Sequence, residues 1–152
     1  MGNMFEMAMN EMKEVEQITK KAVVNTLLWA LRAGVAEAKK TSAVVTGNLQ
    51  KKYDFTKPVN AYGKYVGDLQ NNADYASFEE LGHRQKKRFV PGVLKNGKFF
   101  YDPKAKTGMM LSEKWVQGSF CLTIIADKYN KMIPETYERE FTRLLKERGI
   151  KQ

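Results

Sequence analysis

Between Asn3 and about Lys40 the chain carries no proline, and its apolar residues return at three- and four-residue steps. At that spacing Met4, Ala8, Met12, Val15, Ile18, Ala22, Trp29 and Ala33 share one face of a helix, so one long N-terminal helix is predicted. From Ala22 to Ala38 a second stripe, Val24, Leu28, Leu31 and Val35, joins the first. A helix apolar on one stripe early and on two sides later is half exposed, then buried. Residues 1–21 are therefore expected to project or fray. The later turns should lie in a core or a subunit interface. Met4, Met7, Met9 and Met12 crowd the first turns, and methionine adapts to irregular partner surfaces.

Past Thr41 the period changes. Ser, Thr and β-branched residues break the helix, Gly47-Asn48 signals a turn, and Leu49, Lys51, Tyr53 and Phe55 then alternate with polar residues as a strand would. Pro58 should end that strand, because proline cannot donate to the ladder. A second strand is expected over about Ala61 to Gln70, closed by Asn71-Asn72. Asp74 to Gly82 fits a short helix, with Asp74 as cap, Tyr75 and Phe78 meeting at i,i+3, and Gly82 as stop.

The strongest local signal is Val93-Leu94-Lys95-Asn96-Gly97-Lys98-Phe99-Phe100-Tyr101. Asn-Gly between apolar runs specifies a type I′ hairpin. Pro91-Gly92 and Asp102-Pro103 bracket it, and Lys104 to Gly108 reads as a flexible return. The chain closes with a helix that Ser119 can cap. Leu122, Ile125, Tyr129, Met132, Ile133, Tyr137, Phe141 and Leu144 form its stripe, Pro134 should kink or break it, and Gly149 should stop it. The expected fold class is α+β: a long N-terminal helix and a C-terminal amphipathic helix packed on a small antiparallel sheet. Trp29, Leu31, Tyr53, Val66, Ile125 and Phe141 should be buried. The 152 residues are expected to make a single domain, with a basic hairpin excursion at 84–112.

Charge is unevenly placed. The whole chain carries a formal +9. Met1 to Thr19 hold four glutamates against Lys13, a local −3. His83 to Lys106 hold Arg84, Lys86, Lys87, Arg88, Lys95, Lys98, Lys104 and Lys106 against Asp102, a local +7. An acidic end and a basic middle suit contact with nucleic acid, or self-association in which the end of one copy meets the middle of the next. A solvated loop is the bland alternative. Lysines and aromatics interleaved in the hairpin could stack on bases or pack between subunits.

Chemistry that needs a constellation is absent. One cysteine, Cys121, excludes an internal disulfide, and one histidine, His83, excludes a Cys/His zinc site within one chain. There is no phosphate-binding glycine loop and no dinucleotide fingerprint. Glu79 and His83 stand at i,i+4, but no nucleophile or second acid lies near, so a structural role is the better reading. Cys121 reads as a packed thiol. No apolar run is long enough for a membrane helix, and no secretory leader is expected. We expect no catalytic residue, metal, cofactor or membrane contact, and a chain made and used in cytoplasm-like conditions.

The order of short motifs resembles a known family. Thr46-Gly47-Asn48-Leu49 follows a long helix; then come Tyr75-Ala76-x-x-Glu79-x-x-Gly82-His83, Trp115-Val116-x-Gly118-x-Phe120, and a closing helix interrupted by Pro134. This sequence of motifs, from about Val23 to Leu145, resembles the minor tail component, or tail-completion, family of lambdoid and related tailed phages. The resemblance implies a non-enzymatic virion protein at the neck or head-proximal tail end. It implies a homo-oligomeric ring, six-fold by resemblance, between head-closure and tail-terminator or tube proteins, with DNA passing through the lumen. In that reading Thr46, Gly47 and Leu49 set the helix-to-sheet turn, and Tyr75, Glu79, Gly82, Trp115 and Gly118 are structural. From the residues themselves, Arg84, Lys86, Lys87, Arg88, Lys95, Lys98, Phe99 and Tyr101 are the candidate contacts to another copy or to DNA. The alternative is a nucleic-acid-binding protein without sequence preference that uses 83–106.

Overall fold

The computed structural model describes residues 2–42 and 47–150, so Thr46 lies outside the described residues. The chain is α+β and divides into two compact units, one made of the segments up to Ala73 and from Cys121 onward, the other of Asp74–Phe120.

The first unit is built on two helices, α1 (Gly2–Thr41) and α4 (Cys121–Glu147). Their cross-contacts step up one helix as they step down the other. Glu14 meets Arg148 at 3.2 Å, Asn25 meets Glu140 at 2.7 Å, Glu37 meets Lys128 at 2.7 Å, and Thr41 meets Cys121 at 3.5 Å. The helices are therefore antiparallel, and α4 runs out opposite Glu14. Ile18 and Ala22 pack there against Leu144 and Leu145, with Tyr137, Phe141 and Ile150 around them. Gly149 ends α4 as its sequence suggests: its φ is +71°, and Ile150 N–H donates to the Leu145 carbonyl, which brings the Ile150 side chain onto the core. Pro134 does not break the helix. The carbonyl it leaves without its helical partner is that of Asn130, an exposed residue.

Between the helices in sequence lie α2 (Asn48–Lys51), β1 (Tyr53–Phe55), β2 (Val59–Ala61), β3 (Lys64–Val66) and β4 (Leu69–Asn71). Two expectations are corrected here. The strand expected from Leu49 begins only at Tyr53, because Gly47, at φ +71°, starts a helical turn. That turn puts Leu49 and Tyr53 at i,i+4, and both are buried. The strand expected over 61–70 is cut by a tight turn at Tyr62-Gly63, with φ +51° and +78°. The result is a β2–β3 hairpin nested inside the β1–β4 pair, all antiparallel. Leu69 packs on the backbone of Gly34 beside Ile125, and Leu31 packs on Gly67. Leu31, Tyr53 and Ile125 are buried as expected, and Phe141 is half-buried. Trp29 and Val66 are exposed instead. Trp29 stands edge-on to Tyr129 with ring centroids 5.7 Å apart, at the rim of the helix pair. Val66 sits on the nested hairpin, paired with Val59, and lines an open groove beside Val23, Leu27 and Ile133 of the helices.

Glu140 is the most perturbed acid of this unit. The Arg143 guanidinium, 2.7 Å away, and the Asn25 amide hold its carboxyl down to about 2. Ionised in the folded state well below its unfolded value of 4.5, it stabilises the fold fully above pH 4.5 and stops doing so as pH falls through about 2. Because Arg143 is half in solvent, screening makes this network's contribution smaller than the displaced carboxyl alone would suggest. Denaturant midpoints of wild type and Glu140→Gln should differ at pH 7, and the gap should close as the pH is lowered from 4.5 to 2.

The second unit contains α3 (Ala76–Leu81), β5 (Gly82–Gln85), β6 (Arg88–Lys95), β7 (Lys98–Tyr101), β8 (Gly108–Leu111) and β9 (Lys114–Gln117). β5 pairs with β9 and β6 with β8 in one continuous antiparallel register, from Gly82↔Gln117 to Pro91↔Gly108. β7 folds back on the far side of β6, giving the order β7-β6-β8. The Asn96-Gly97 turn forms as its sequence demands, with φ +50° and +75°. Three details differ from expectation. Pro91-Gly92 do not bracket the hairpin but lie inside β6, where the Pro91 carbonyl accepts from Asp102 N–H and Gly92 N–H donates to Thr107. Those bonds also pin the segment expected as a flexible return, and Gly108 is already in β8. Asp74 does not cap α3; Tyr75 precedes it, without a side-chain capping bond.

Candidate functional site

Strand alternation sorts the basic sheet into two faces. Phe89, Val93 and Lys95 of β6 share a face with Lys98 and Phe100 of β7 and Met110 of β8, since Phe89↔Met110, Val93↔Phe100 and Lys95↔Lys98 are register pairs. Arg88, Leu94, Phe99, Tyr101 and Met109 occupy the other. Ring contacts agree with this sorting: a Cβ on Gly108 would meet Phe89, and one on Gly92 would meet Phe99. Phe89, Phe100 and Met110 are exposed on the first face, and Leu94, Tyr101 and Met109 on the second. A sheet normally buries at least one apolar face against another layer, whereas this one leaves apolar side chains exposed on both.

The eight contact candidates are thus not one cluster. Lys95 and Lys98 lie opposite each other beside the turn, on the Phe100 face. Arg88, Phe99 and Tyr101 belong to the other face, with Phe99 half-buried over Gly92. Lys86 and Lys87 fall between β5 and β6, and Arg84 on β5 is ion-paired with Glu113. Sequence reasoning missed Phe89, Phe100 and Met110. The signal for Phe100 was present: the Asn-Gly turn fixes the register, and Phe100 follows Lys98 at a step of two.

The motif residues of this unit gather at its base. Gly82, at φ +83°, ends α3 and opens β5, and Gly118 follows β9. Their backbones approach so closely that a Cβ on Gly82 would lie 2.7 Å from Gly118 N. The backbone carbonyls of Glu79 and Glu80 accept from Ser119 N–H at 2.7 Å and Phe120 N–H at 3.1 Å. Ser119 is thus held by α3 and stands two residues before the first turn of α4, not at its cap. Tyr75, Phe78 and Trp115 are exposed, with Phe78 against the His83 ring at 5.6 Å. Gly47 starts α2, and Leu49 is buried in the first unit. His83 Nδ1 is buried and has no hydrogen-bond partner among the described residues, and the Cys121 thiol is half-buried beside Thr41. Among the described residues, no three His, Cys, Asp or Glu side chains are grouped to hold a metal ion, and no helix is long and apolar enough to cross a membrane.

In the first unit a shallow groove of about 750 Å³ between α1 and α4 is lined by Asn25, Trp29, Arg32, Arg139, Glu140 and Arg143, among others. Its Glu140 and Arg143 are committed to each other and its Asn25 to Glu140.

No family model and no solved structure matches this chain. It is similar to the phage-like element PBSX protein XkdI of Bacillus subtilis (strain 168), with 36% identity over 82 residues, 52% of this chain and 51% of that protein. It is also similar to the uncharacterized protein YqbI of the same strain, with 43% identity over 60 residues, 34% of this chain and 36% of that protein. The chain spans about half the length of the first of these curated relatives and about a third of the second.

Proposed function

We propose that this chain is a structural protein of a tailed phage or phage-derived element, assembling as a ring at the neck or head-proximal tail end, where it helps join head to tail. The observation that carries the reading is the apolar surface left exposed on both faces of the β7-β6-β8 sheet, which suits a chain that completes itself by assembly. The similarity to a protein of a phage-like element supports a phage-related role, and the order of the Gly47, Gly82 and Gly118 motifs supports the tail-completion family. The chain works without catalysis in this reading. Its partners are further copies of itself, the head-closure protein on one side and the tail-terminator or tube protein on the other.

A second reading is nucleic-acid binding without sequence preference, favoured by the exposed lysines Lys86, Lys87, Lys95, Lys98, Lys104 and Lys106. Light scattering after size exclusion, with DNA titrations at several salt concentrations, separates the two. A discrete oligomer with weak DNA affinity supports the ring. A monomer whose DNA affinity falls steeply with salt supports the second reading instead.

A further inference from the structure

The apolar stripe that binds α1 to α4 does not stop where α4 stops. Ile18 and Ala22 spend it on Leu144 and Leu145. Towards the N-terminus the same stripe continues through Val15, Met12, Ala8 and Met4, but α4 has run out opposite Glu14. Residues 2–13 thus form an overhang of about 18 Å, at about 1.5 Å per residue. Its stripe is open to solvent: Met4 is 82% and Met12 69% exposed. Three turns of a continuous packing stripe with no partner call for another surface of the same kind.

The second unit offers one. The Phe89, Phe100, Met110 face is apolar and exposed, with Phe100 at 52% and Met110 at 59%. β6 spans about 26 Å, enough to seat the overhang along or across the three strands. Charge selects this pairing over a symmetric one. Glu6 and Glu11 on the overhang, and Lys95 and Lys98 on the sheet, have no ion-pair partner among the described residues. Overhang against overhang would set glutamates together, and sheet against sheet would set lysines together.

We infer that the α1 overhang of one copy docks on the Phe89, Phe100, Met110 face of a second copy, with Glu11, at the edge of the stripe, toward Lys95 and Lys98. The contact is heterologous, so each copy gives one arm and receives another, and it closes into a ring when the rotation permits. This inference rests on the assembly reading above and names the surfaces that make the assembly. The apolar arms carry most of the affinity, since exposed ion pairs contribute little.

Two variants test it. One carries Met4→Lys and Met12→Lys, which keep helix propensity and spoil the overhang. The other carries Phe100→Glu and Met110→Glu, which spoil the sheet face. Amide exchange checks that both remain folded. A third variant, Lys95→Glu with Lys98→Glu, changes only exposed residues beside the turn and is expected to weaken self-association about tenfold. In sedimentation velocity each of the first two variants alone should be monomeric. Their equimolar mixture should form a one-to-one dimer and go no further, because one intact overhang and one intact sheet face remain. Loss of assembly in the overhang variant alone would mean a helix-to-helix contact, and loss in the sheet variant alone a sheet-to-sheet contact or a different partner; either overturns the inference. Wild-type assembly unchanged by all three variants overturns it and leaves the ring reading standing. A wild-type chain that stays monomeric at every concentration overturns both.

Discussion

Gly118→Ala is expected to unfold the second unit while α1 and α4 keep their protection. A Cβ at 118 would stand 2.5 Å from Gly82 N and 2.6 Å from the Leu81 carbonyl carbon, both backbone atoms that cannot swing aside. Relief requires prising α3 and the start of β5 away from the end of β9. That would break the bonds from Ser119 and Phe120 N–H to the Glu79 and Glu80 carbonyls and the Gly82↔Gln117 pairing beyond them. Gly82→Ala should act alike and for two reasons. Its Cβ would meet Val116, Gln117 and Gly118 backbone, and its φ of +83° with ψ 175° lies in a region essentially reserved for glycine. Each substitution should cost more than about 4 kcal/mol, among the largest effects a point change produces. Gly97→Ala is the control: φ is +75°, but nothing lies within 4 Å of its added Cβ, so about 1 kcal/mol is expected. Hydrogen exchange read by segment checks all three. Amides of 82–117 should lose protection in the first two variants and keep it in the third, with 18–38 and 121–147 unaffected throughout. Full protection of 82–117 in Gly118→Ala would refute the close-approach account.

The two glycines also explain how much of this chain was legible before its structure was seen. The long helix, the Asn96-Gly97 hairpin and the Gly149 stop were plain, because each is decided by local rules: an unbroken apolar period, a turn that demands two positive φ values, a left-handed cap. The strand between Leu49 and Phe55 misread because Leu49 and Tyr53 satisfy a period of two and of four equally, and only the positive φ at Gly47 decides for the helical turn. The basic cluster misread for a different reason. Charge counted along the chain cannot tell one face of a sheet from the other, and Arg88, Phe99 and Tyr101 point away from Lys95, Lys98 and Phe100. The role of Glu79 in this structure is carried by its carbonyl, which every residue possesses, so no reading of side chains could have found it.

Leu144→Ala is expected to be the most damaging truncation in the first unit. The residue is 3% exposed and sits in a cluster of few members, with Ile18, Ala22 and Leu145 as its buried neighbours. Ala22 is fully buried and has no side-chain length with which to fill the space a lost isobutyl group leaves. Tyr137 and Phe141 are stacked on each other with ring centroids 5.7 Å apart, so neither can enter the gap without breaking that stack. The site therefore collapses poorly, and the loss should fall in the upper part of the usual range of about 2–5 kcal/mol. That is a large share of a typical stability of about 5–15 kcal/mol. Two consequences distinguish it from a glycine variant of the second unit. Protection should fall first at α1 near Ile18 and at the C-terminal turns of α4, and the Arg148–Glu14 contact that marks the end of the helix pair should be lost with it. The overhang would then lengthen and its methionines would keep their stripe without a firm base, so self-association should weaken even though no residue of the proposed contact has changed. If Leu144→Ala unfolds at the wild-type denaturant midpoint, Leu144 does not hold the helix pair together and the core assigned to this unit is wrong.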